Sequence, residues 1–579
     1  CLGEGKLRQE LKEDFFKEYL GFDLICVDEA HFLRNIDTNV RNNFEKIYNL
    51  SSSDSKLLFL TATPINTKIQ NMINLFELWF SKNIGKYHNT TISRDYERFK
   101  ELVRKVEVYR SATDNEKIEM MQLMEVLKSN FVVQTMRQDL KRYFKSDLER
   151  VSGSSDILDP KVEEIQYNYS KEYRDEIFDN IVNFLNDLTY ENSKFQFKVD
   201  TGEWEYKEDK NLTNIYKWNL YKGLESSLYA FYSSLTNHKN KVQLYLEYFN
   251  TGDEKIIDEF IDSNPKISKS KKEFKKRIML EKKEVFDKKE ILRRPKKIVL
   301  ENLEKDLTLC LKYISKLEKF KEKESKLFKN DLKLKTLGQV LSLFNNKRWI
   351  IFSERTDTIG MLDEYFSKNN ISCITITGED DSIEKNSKIK RFKAGKYQHI
   401  LASDALSQGF NLAEADGVIN FDLPYNPVYL IQRSGRVTRL DTQKEVALKN
   451  FNPSDEINKE LELVEKLDLR IENIISFMGI DYSIWKKHED LIKQTNKKHE
   501  AKTAEILKSL RKARASDDPE SLNAMSLLTK SLKLDTLLKR AIDKYQISED
   551  DLLSIFPKKP FYTTLRDNTL DEKFFGIYE

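Results

Sequence analysis

No run in these 579 residues approaches the 18 or more apolar positions that a membrane-spanning helix needs, and the opening Cys1-Leu2-Gly3-Glu4-Gly5-Lys6 has no apolar signal core. The expectation is a soluble, cytoplasmic chain with no membrane partner. The four cysteines, Cys1, Cys26, Cys310 and Cys373, include no Cys-x-x-Cys pair, and the six histidines show no metal-ligand spacing. A disulfide scaffold and a zinc framework are therefore excluded. There is no internal repeat, and no low-complexity tract beyond Ser51-Ser52-Ser53-Asp54-Ser55. What is present is 39% hydrophobic residues beside 33% charged ones, enough apolar material for cores under a heavily charged surface. At about 100–200 residues per domain the length implies several domains. The formal net charge is only +3, yet Lys266 to Lys297 carries 15 Lys and Arg against 5 Asp and Glu, so the basicity is local. The first residue is Cys1, not Met, which suggests a fragment or a split product.

Short apolar runs, each followed by a helix-like stretch, occur near both ends of the first 480 residues and are missing between them. In the first block, 22–27 and 56–60 read as buried parallel strands. Residues 151–330 read as long helical stretches rich in Lys, Glu, Tyr and Phe, broken by turn-like 198–203 and 250–253. The second block holds four strand candidates, at 349–352, 371–376, 399–402 and 418–421. Its helices include 358–368 and 382–393, the latter closed by Gly395. Beyond about Phe477 the pattern is one of charged amphipathic helices. The expected division is 1–150, 151–330, 331–477 and 478–579.

Three segments carry chemistry. Asp28-Glu29-Ala30-His31 puts two adjacent carboxylates at a strand terminus, where one can hold a Mg²⁺ ion through its water and the next can orient and deprotonate an attacking water. A surface turn is the structural alternative. Thr61-Ala62-Thr63-Pro64 puts two hydroxyls at a neighbouring strand tip, and also suits an N-cap before a helix that starts on Pro. Gln432-Arg433-Ser434-Gly435-Arg436-Val437-Thr438-Arg439 spaces arginines at i, i+3 and i+6 on one helix face, either to stabilise phosphoryl charge or as a solvated basic helix.

Taken in order, these segments resemble superfamily 2 nucleic-acid-dependent ATPases, and within them the SWI/SNF-like helicases. The resemblance rests on Asp28 to His31 as motif II, Thr61 to Pro64 with Leu75 to Trp79 as motif III, and Ile350 to Ser353 as motif IV. Ser403 to Leu412 matches motif V and Gln432 to Arg439 motif VI. It implies an α/β fold of two RecA-like parallel-sheet domains, the first incomplete, with a helical insertion and a helical C-terminal region. It further implies ATP and Mg²⁺, with Asp28 holding the ion and Glu29 as general base. Arg436 and Arg439 become arginine fingers, while His31, Thr61 and Thr63 couple the ATP site to the nucleic-acid groove. Gln432 contacts nucleotide or the facing motifs, and Gly409 lets backbone approach ligand. Ser353, Arg355, Ser403 and Asp404 line the face that tracks a phosphodiester strand. Phe131 to Arg137 and Leu224 to Phe231 look like a prokaryotic branch of the group.

The chain departs from the family in lacking a recognisable phosphate-cradling loop. At Gly3-Glu4-Gly5-Lys6, Leu7 stands where the Mg²⁺-binding hydroxyl belongs. The expectation is that an upstream or partner chain supplies that half. The basic segment, with Lys271, Lys272, Lys275 and Lys276, suits sequence-blind contact with a nucleic-acid backbone, or else a solvated helical face. The leading reading is an ATP-dependent translocase or helicase on duplex or single-stranded DNA. A non-catalytic nucleic-acid-binding subunit and an RNA-directed DEAH-box ATPase stay open beside it.

Overall fold

The computed structural model describes residues 24–36, 38–50, 56–61, 68–87, 91–109, 111–132, 157–190, 195–200, 203–208, 210–263, 296–406, 410–439, 444–478, 482–488, 490–494 and 574–577, with scattered residues such as 136, 137, 271, 274–276, 278, 279 and 442. These fall into two compact units. One runs to Asp159 and includes 426–428 and the residues from Leu467 onward; the other comprises Pro160–Tyr425 and Tyr429–Lys466.

In the first unit the two apolar runs form β1 (Leu24–Val27) and β2 (Lys56–Phe59), which pair in parallel with Val27 opposite Phe59. The strand Phe574–Ile577 pairs in parallel with the other edge of β1. Helix α1 (Asn39–Leu50) carries Val40, Phe44, Ile47 and Tyr48 at helical spacing. That stripe packs with Ile25 and Val27 of β1 and with Leu75 and Leu78 of α2 (Gln70–Tyr87). Helices α3 (Thr91–Arg104) and α4 (Asp114–Phe131) follow. The latter opens on a capping box in which the Thr113 side chain accepts from Glu116 N and the Glu116 carboxylate accepts from Thr113 N.

The second unit holds β3 (Lys161–Ile165), a hairpin of β4 (Phe195–Asp200) and β5 (Glu203–Glu208), and β6 (Trp349–Phe352). It continues with β7 (Cys373–Ile376), β8 (His399–Ala402), β9 (Gly417–Asn420) and β10 (Ala447–Phe451). Six of these make one parallel sheet in the order β3-β10-β9-β6-β8-β7. All four residues of β6, of β8 and of β9 are buried, as parallel strands covered on both faces must be. Each large apolar side chain of β6 contributes about 1.5–3 kcal/mol by leaving water. Gly417 is required at its place, because a Cβ there would lie 2.2 Å from the Ala447 carbonyl oxygen and 2.5 Å from the Trp349 ring.

Two strands of this sheet were not visible as apolar runs. β3 is Lys-Val-Glu-Glu-Ile and lies at the sheet edge within a stretch expected to be helical; β10 carries Lys449, buried beside the Phe344 ring with its ammonium on Glu163 of β3. Charged residues mask the alternation, and neighbouring strands neutralise one another. The turn expected at 198–203 is the β4–β5 hairpin.

Helices α5 (Lys210–Ser226), α6 (Leu228–Thr251), α7 (Lys255–Asp262) and α8 (Lys296–Phe320) form the helical region. Around the sheet run α9 (Leu332–Leu343), α10 (Thr356–Lys368), α11 (Ser382–Lys393) and α12 (Pro427–Gly435). Among the described residues no helix is long and apolar enough to cross a membrane.

Asp331 N-caps α9, its Oδ1 accepting from Lys333 N at 2.9 Å and Leu334 N at 3.3 Å. Burial pushes its carboxyl up to about 6, against the pull of those amides and of Lys333. The folded state thus favours the protonated acid, a contribution present below the ordinary Asp value and lost as pH rises through about 6. Asp331→Asn keeps the capping oxygen and lacks the titration. Denaturation midpoints should show the variant gaining about 1–3 kcal/mol relative to wild type between pH ~4 and pH ~8. A constant difference across that range would remove Asp331 as the titrating group.

Candidate nucleotide site and the polar centre of the second sheet

The parallel pairing of β1 and β2 brings their carboxyl ends side by side, so Asp28 follows one tip and Thr61 lies just beyond the other. Leu60 N donates to Val27 O at 2.8 Å and Ala30 N to Leu60 O at 3.0 Å, carrying the ladder past the strand ends. Glu29 takes φ 49° and ψ 44°, a left-handed conformation costly for a residue with a Cβ and characteristic of functional turns. Its amide donates to Asp28 Oδ1 at 3.0 Å. Burial pushes the Asp28 carboxyl up, with that amide pulling the other way. A half-buried carboxylate so placed gains from a nearby cation, so the residues fit a Mg²⁺ ion held at Asp28.

His31 is buried, and its Nδ1 lies 3.2 Å from Glu29 Oε2 and 3.2 Å from Thr61 Oγ1. One imidazole therefore links the second carboxylate of the pair to the neighbouring strand tip. The turn carrying it is braced by Arg41 of α1, whose Nη1 donates to Leu33 O at 2.9 Å and Asn74 O at 2.7 Å. Glu107 braces α2, its Oε1 accepting from Ile69 N at 2.5 Å. Thr63 lies outside the described residues.

In the second unit, Arg436 and Arg439 converge on one carbonyl: Arg436 Nη1 donates to Phe410 O at 3.3 Å and Arg439 Nη2 at 3.5 Å. Leu412 N donates back to Arg436 O at 3.0 Å, locking the two segments together. Gln432 is buried and its Oε1 has no partner among the described residues. Gly409 lies outside the described residues.

Residues expected to line a strand-tracking face prove to be largely enclosed. Ser353 is fully buried and its hydroxyl donates to Asp422 Oδ2, which corrects the expectation of a surface contact. The reason is position: it follows the last residue of a central strand. Ser403 is also buried, and Asp404 Oδ1 is held by Arg433 Nε at 2.8 Å and Nη2 at 2.7 Å. Burial pushes the Asp404 carboxyl up and Arg433 pulls it back. Arg355 is half-buried and donates to Asn219 O at 3.0 Å. In the basic segment, Lys271 pairs with Asp262 at 2.9 Å, and Lys275 with Asp258 at 2.8 Å and Glu254 at 3.2 Å, so acids of α7 and its N-terminal turn answer two of the four lysines. Lys276 is exposed, and Lys272 lies outside the described residues.

The sequence reading missed the group at the centre of this sheet. Asp422, just past the end of β9, accepts from Ser353, from Glu354 N at 2.9 Å and from Ser226 Oγ at 2.5 Å. Ser226 and Ser227 both reach the Thr358 hydroxyl, at 2.7 and 2.8 Å. Lys222 is buried on Glu225 at 2.7 Å and Glu354 at 3.2 Å, and Lys333 Nζ donates to the Glu225 and Ser226 carbonyls at 2.5 and 3.0 Å. Arg433, also fully buried, reaches Asn420 Oδ1 at 3.0 Å. The Glu225-Ser226-Ser227 stretch joining α5 to α6 is thus fastened to the strand ends. A carboxylate directly after an apolar strand, as at Asp28, was the available signal for Asp422.

The order of segments matches known families. The SNF2-related domain matches residues 9–207 and the helicase conserved C-terminal domain residues 332–441. An ATP-dependent RNA helicase DBP8 of Candida albicans is 30% identical over 149 residues, 24% of this chain and 33% of that protein. An uncharacterized ATP-dependent helicase YqhH of Bacillus subtilis is 35% identical over 102 residues, 18% of each. The chain spans at most about a third of these relatives' lengths. A solved structure described as the C-terminal part of the Fun30 ATPase domain aligns over 55% of this chain and 99% of its own at 16% identity and TM-score 0.29, too slight a likeness to bear on function. With two family domains in the expected order and a six-stranded parallel sheet of RecA-like type, the chain belongs to the superfamily 2 SWI/SNF-like helicases, a family of ATP-dependent helicases and translocases.

Proposed function

We propose that the protein is the motor part of an ATP-dependent DNA translocase. The observation that supports this reading best is the carboxylate tip: Asp28 and Glu29 beyond β1, with His31 3.2 Å from both Glu29 and Thr61. In this reading Asp28 would hold Mg²⁺, which when bound would supply positive charge to offset that of the ATP phosphates. Glu29 orients a water and takes its proton as the new oxygen–phosphorus bond forms and ADP departs. Arg436 and Arg439 are assigned to the charge that develops on the transferred phosphoryl group, and Gln432 to the nucleotide. His31 and Thr61, with Thr63, report the state of that site toward the nucleic-acid groove. The phosphate-cradling loop, not recognisable in this chain, comes from an upstream or partner segment.

A second reading, an RNA-directed ATPase, is favoured by several relatives that are named ATP-dependent RNA helicases, among them DBP8 and an eIF4A of Phaeosphaeria nodorum. Turnover by the purified chain with no nucleic acid, single-stranded DNA, duplex DNA or RNA separates the two. DNA-stimulated phosphate release supports the translocase. Stimulation by RNA over DNA replaces it with the second reading. No turnover while salt-sensitive DNA binding persists points to the supplied loop, to be tested by adding that segment.

A further inference from the structure

The amino ends of the second sheet's strands gather positive charge that the motor reading does not use. Segments 343–348, 390–398, 414–416 and 444–446 lead into β6, β8, β9 and β10, which start at Trp349, His399, Gly417 and Ala447. Because these strands are parallel, the four segments meet at one end of the sheet. Together they hold seven Lys and Arg against three Asp and Glu.

Asp416 ties the segments to one another. Its Oδ2 accepts from Arg348 N at 2.8 Å, and its Oδ1 accepts from Lys444 Nζ at 3.0 Å. The Arg348 guanidinium lies 4.0 Å from the centre of the Phe392 ring and donates to the Phe392 and Tyr397 carbonyls, which fixes the end of α11 against the start of β6. Helix α11 closes on Gly395 at φ 75°, with Gly395 N donating to Phe392 O at 2.8 Å and Lys396 N to Arg391 O at 3.1 Å. That paired closure holds the Lys396 backbone against the turn that carries Arg391. Two of the three acids are taken within the group, Asp416 by Lys444 and Glu414 by Lys393 at 3.2 Å. Lys390, Arg391 and Lys396 are exposed and pair with no carboxylate among the described residues. The lysines ahead of α8 differ, since acids of α7 answer two of them.

Exposed, unpaired cations on a braced sheet end suit an anion that repeats along its length. A protein partner would also need an apolar centre, and Leu343 is the one large apolar side chain exposed in these segments. A phosphodiester backbone needs only spaced cations. Strands of four residues put this end about 13 Å, at roughly 3.3 Å per residue, from the carboxyl ends that Ser353 and Asp422 follow. The two ends face opposite ways, so a straight duplex engaged at one does not cover the other.

We propose that this end of the sheet is a second nucleic-acid contact, which holds the phosphate backbone of a separate duplex segment through Lys390, Arg391 and Lys396. The proposal rests on the nucleic-acid reading above. It adds that one chain bridges two segments.

Sedimentation of the full chain with a short fluorescent DNA duplex at low salt counts the duplexes held per chain. Wild type should take up two. The triple variant Lys390→Glu, Arg391→Glu, Lys396→Glu should take up one, holding it within a factor of about two of the first wild-type affinity. Each phosphate contact adds about −0.9 to the slope of log affinity against log salt, so the second wild-type step should show a slope of about −3. One duplex per wild-type chain overturns the second contact, leaves the motor reading standing and assigns the patch to an acidic protein segment. Two duplexes per variant chain also overturn it. Loss of both duplexes by a variant that melts like wild type overturns it as well, because the three cations then belong to the first site. A wild-type chain that binds no duplex removes both readings.

Discussion

Glu29→Gln is expected to lower nucleic-acid-stimulated ATP turnover by about 10²–10⁴-fold while leaving nucleic-acid affinity within a factor of about two. Gln keeps the length of the side chain and its carbonyl can still accept from His31, so the turn beyond β1 keeps its shape. What is lost is an oxygen able to take a proton from water. A structural role and a catalytic one diverge in a second variant. Glu29 holds φ 49°, which glycine adopts freely, so Glu29→Gly should fold without loss of stability while turnover is abolished. If Glu29→Gln retains near-normal turnover, Glu29 is not the base. If Glu29→Gly unfolds, the side chain is there for support. Turnover is read with the complete motor, including any supplied phosphate loop.

The parts of this molecule that were legible in the sequence are those in which apolar runs and strand-end polar residues coincide. β1, β2, β6, β7, β8 and β9 were each found within a residue or two because their runs are apolar. β6, β8 and β9 are buried on both faces, whereas β1 and β7 are fully buried only at alternate residues and β2, expected to be buried, is half-buried with Lys56 exposed. Asp28, Glu29 and His31 follow directly from one of those runs, and their approach to Thr61 follows from parallel pairing of two adjacent tips. β3 and β10 were not legible, because Glu163 and Lys449 neutralise each other only after the strands have paired. Ser353 was misread for a related reason. Its strand end suggested a ligand-facing hydroxyl, but a single sequence does not reveal that Asp422, 69 residues later, would claim it. The Glu225-Ser226-Ser227 stretch was noticed only as a mark of family resemblance. Its fastening to motif IV depends on contacts more than a hundred residues apart in the chain.

That fastening makes Asp422→Ala the substitution with the largest expected effect on stability. The carboxylate is fully buried and accepts from Ser226, Ser353 and Glu354 N, with Lys222, Lys333 and Arg433 around it. Burial alone would push its carboxyl up, but Lys222, Arg433 and Lys333 outweigh that and hold it below the usual range. The cations depend on it in turn: burial disfavours the Lys222 ammonium, and Glu225, Glu354 and Asp422 restore it. Removing one member of such a group strands the others, at about 3–5 kcal/mol, whereas Asp422→Asn keeps the acceptor for Ser226 or Ser353 and should cost less. Because the folded value is depressed, the stabilisation from Asp422 is present above the ordinary Asp value of about 3.9 and lost as pH falls through the lower folded value. The gap between wild type and Asp422→Asn in denaturation midpoint should therefore be widest near neutral pH and shrink in acid. Glu354 and Asp404, whose carboxyls burial pushes up and the Asp422 charge pushes further, also respond to the substitution, so the difference reads Asp422 together with these two neighbours. The functional consequence is separable. Asp422 sits between Ser226 of the helical region and the Arg433 segment that carries Arg436 and Arg439, so Asp422→Asn should keep ATP affinity and reduce stimulation by nucleic acid. Stimulation unchanged in a variant of lowered stability would make the network a brace alone.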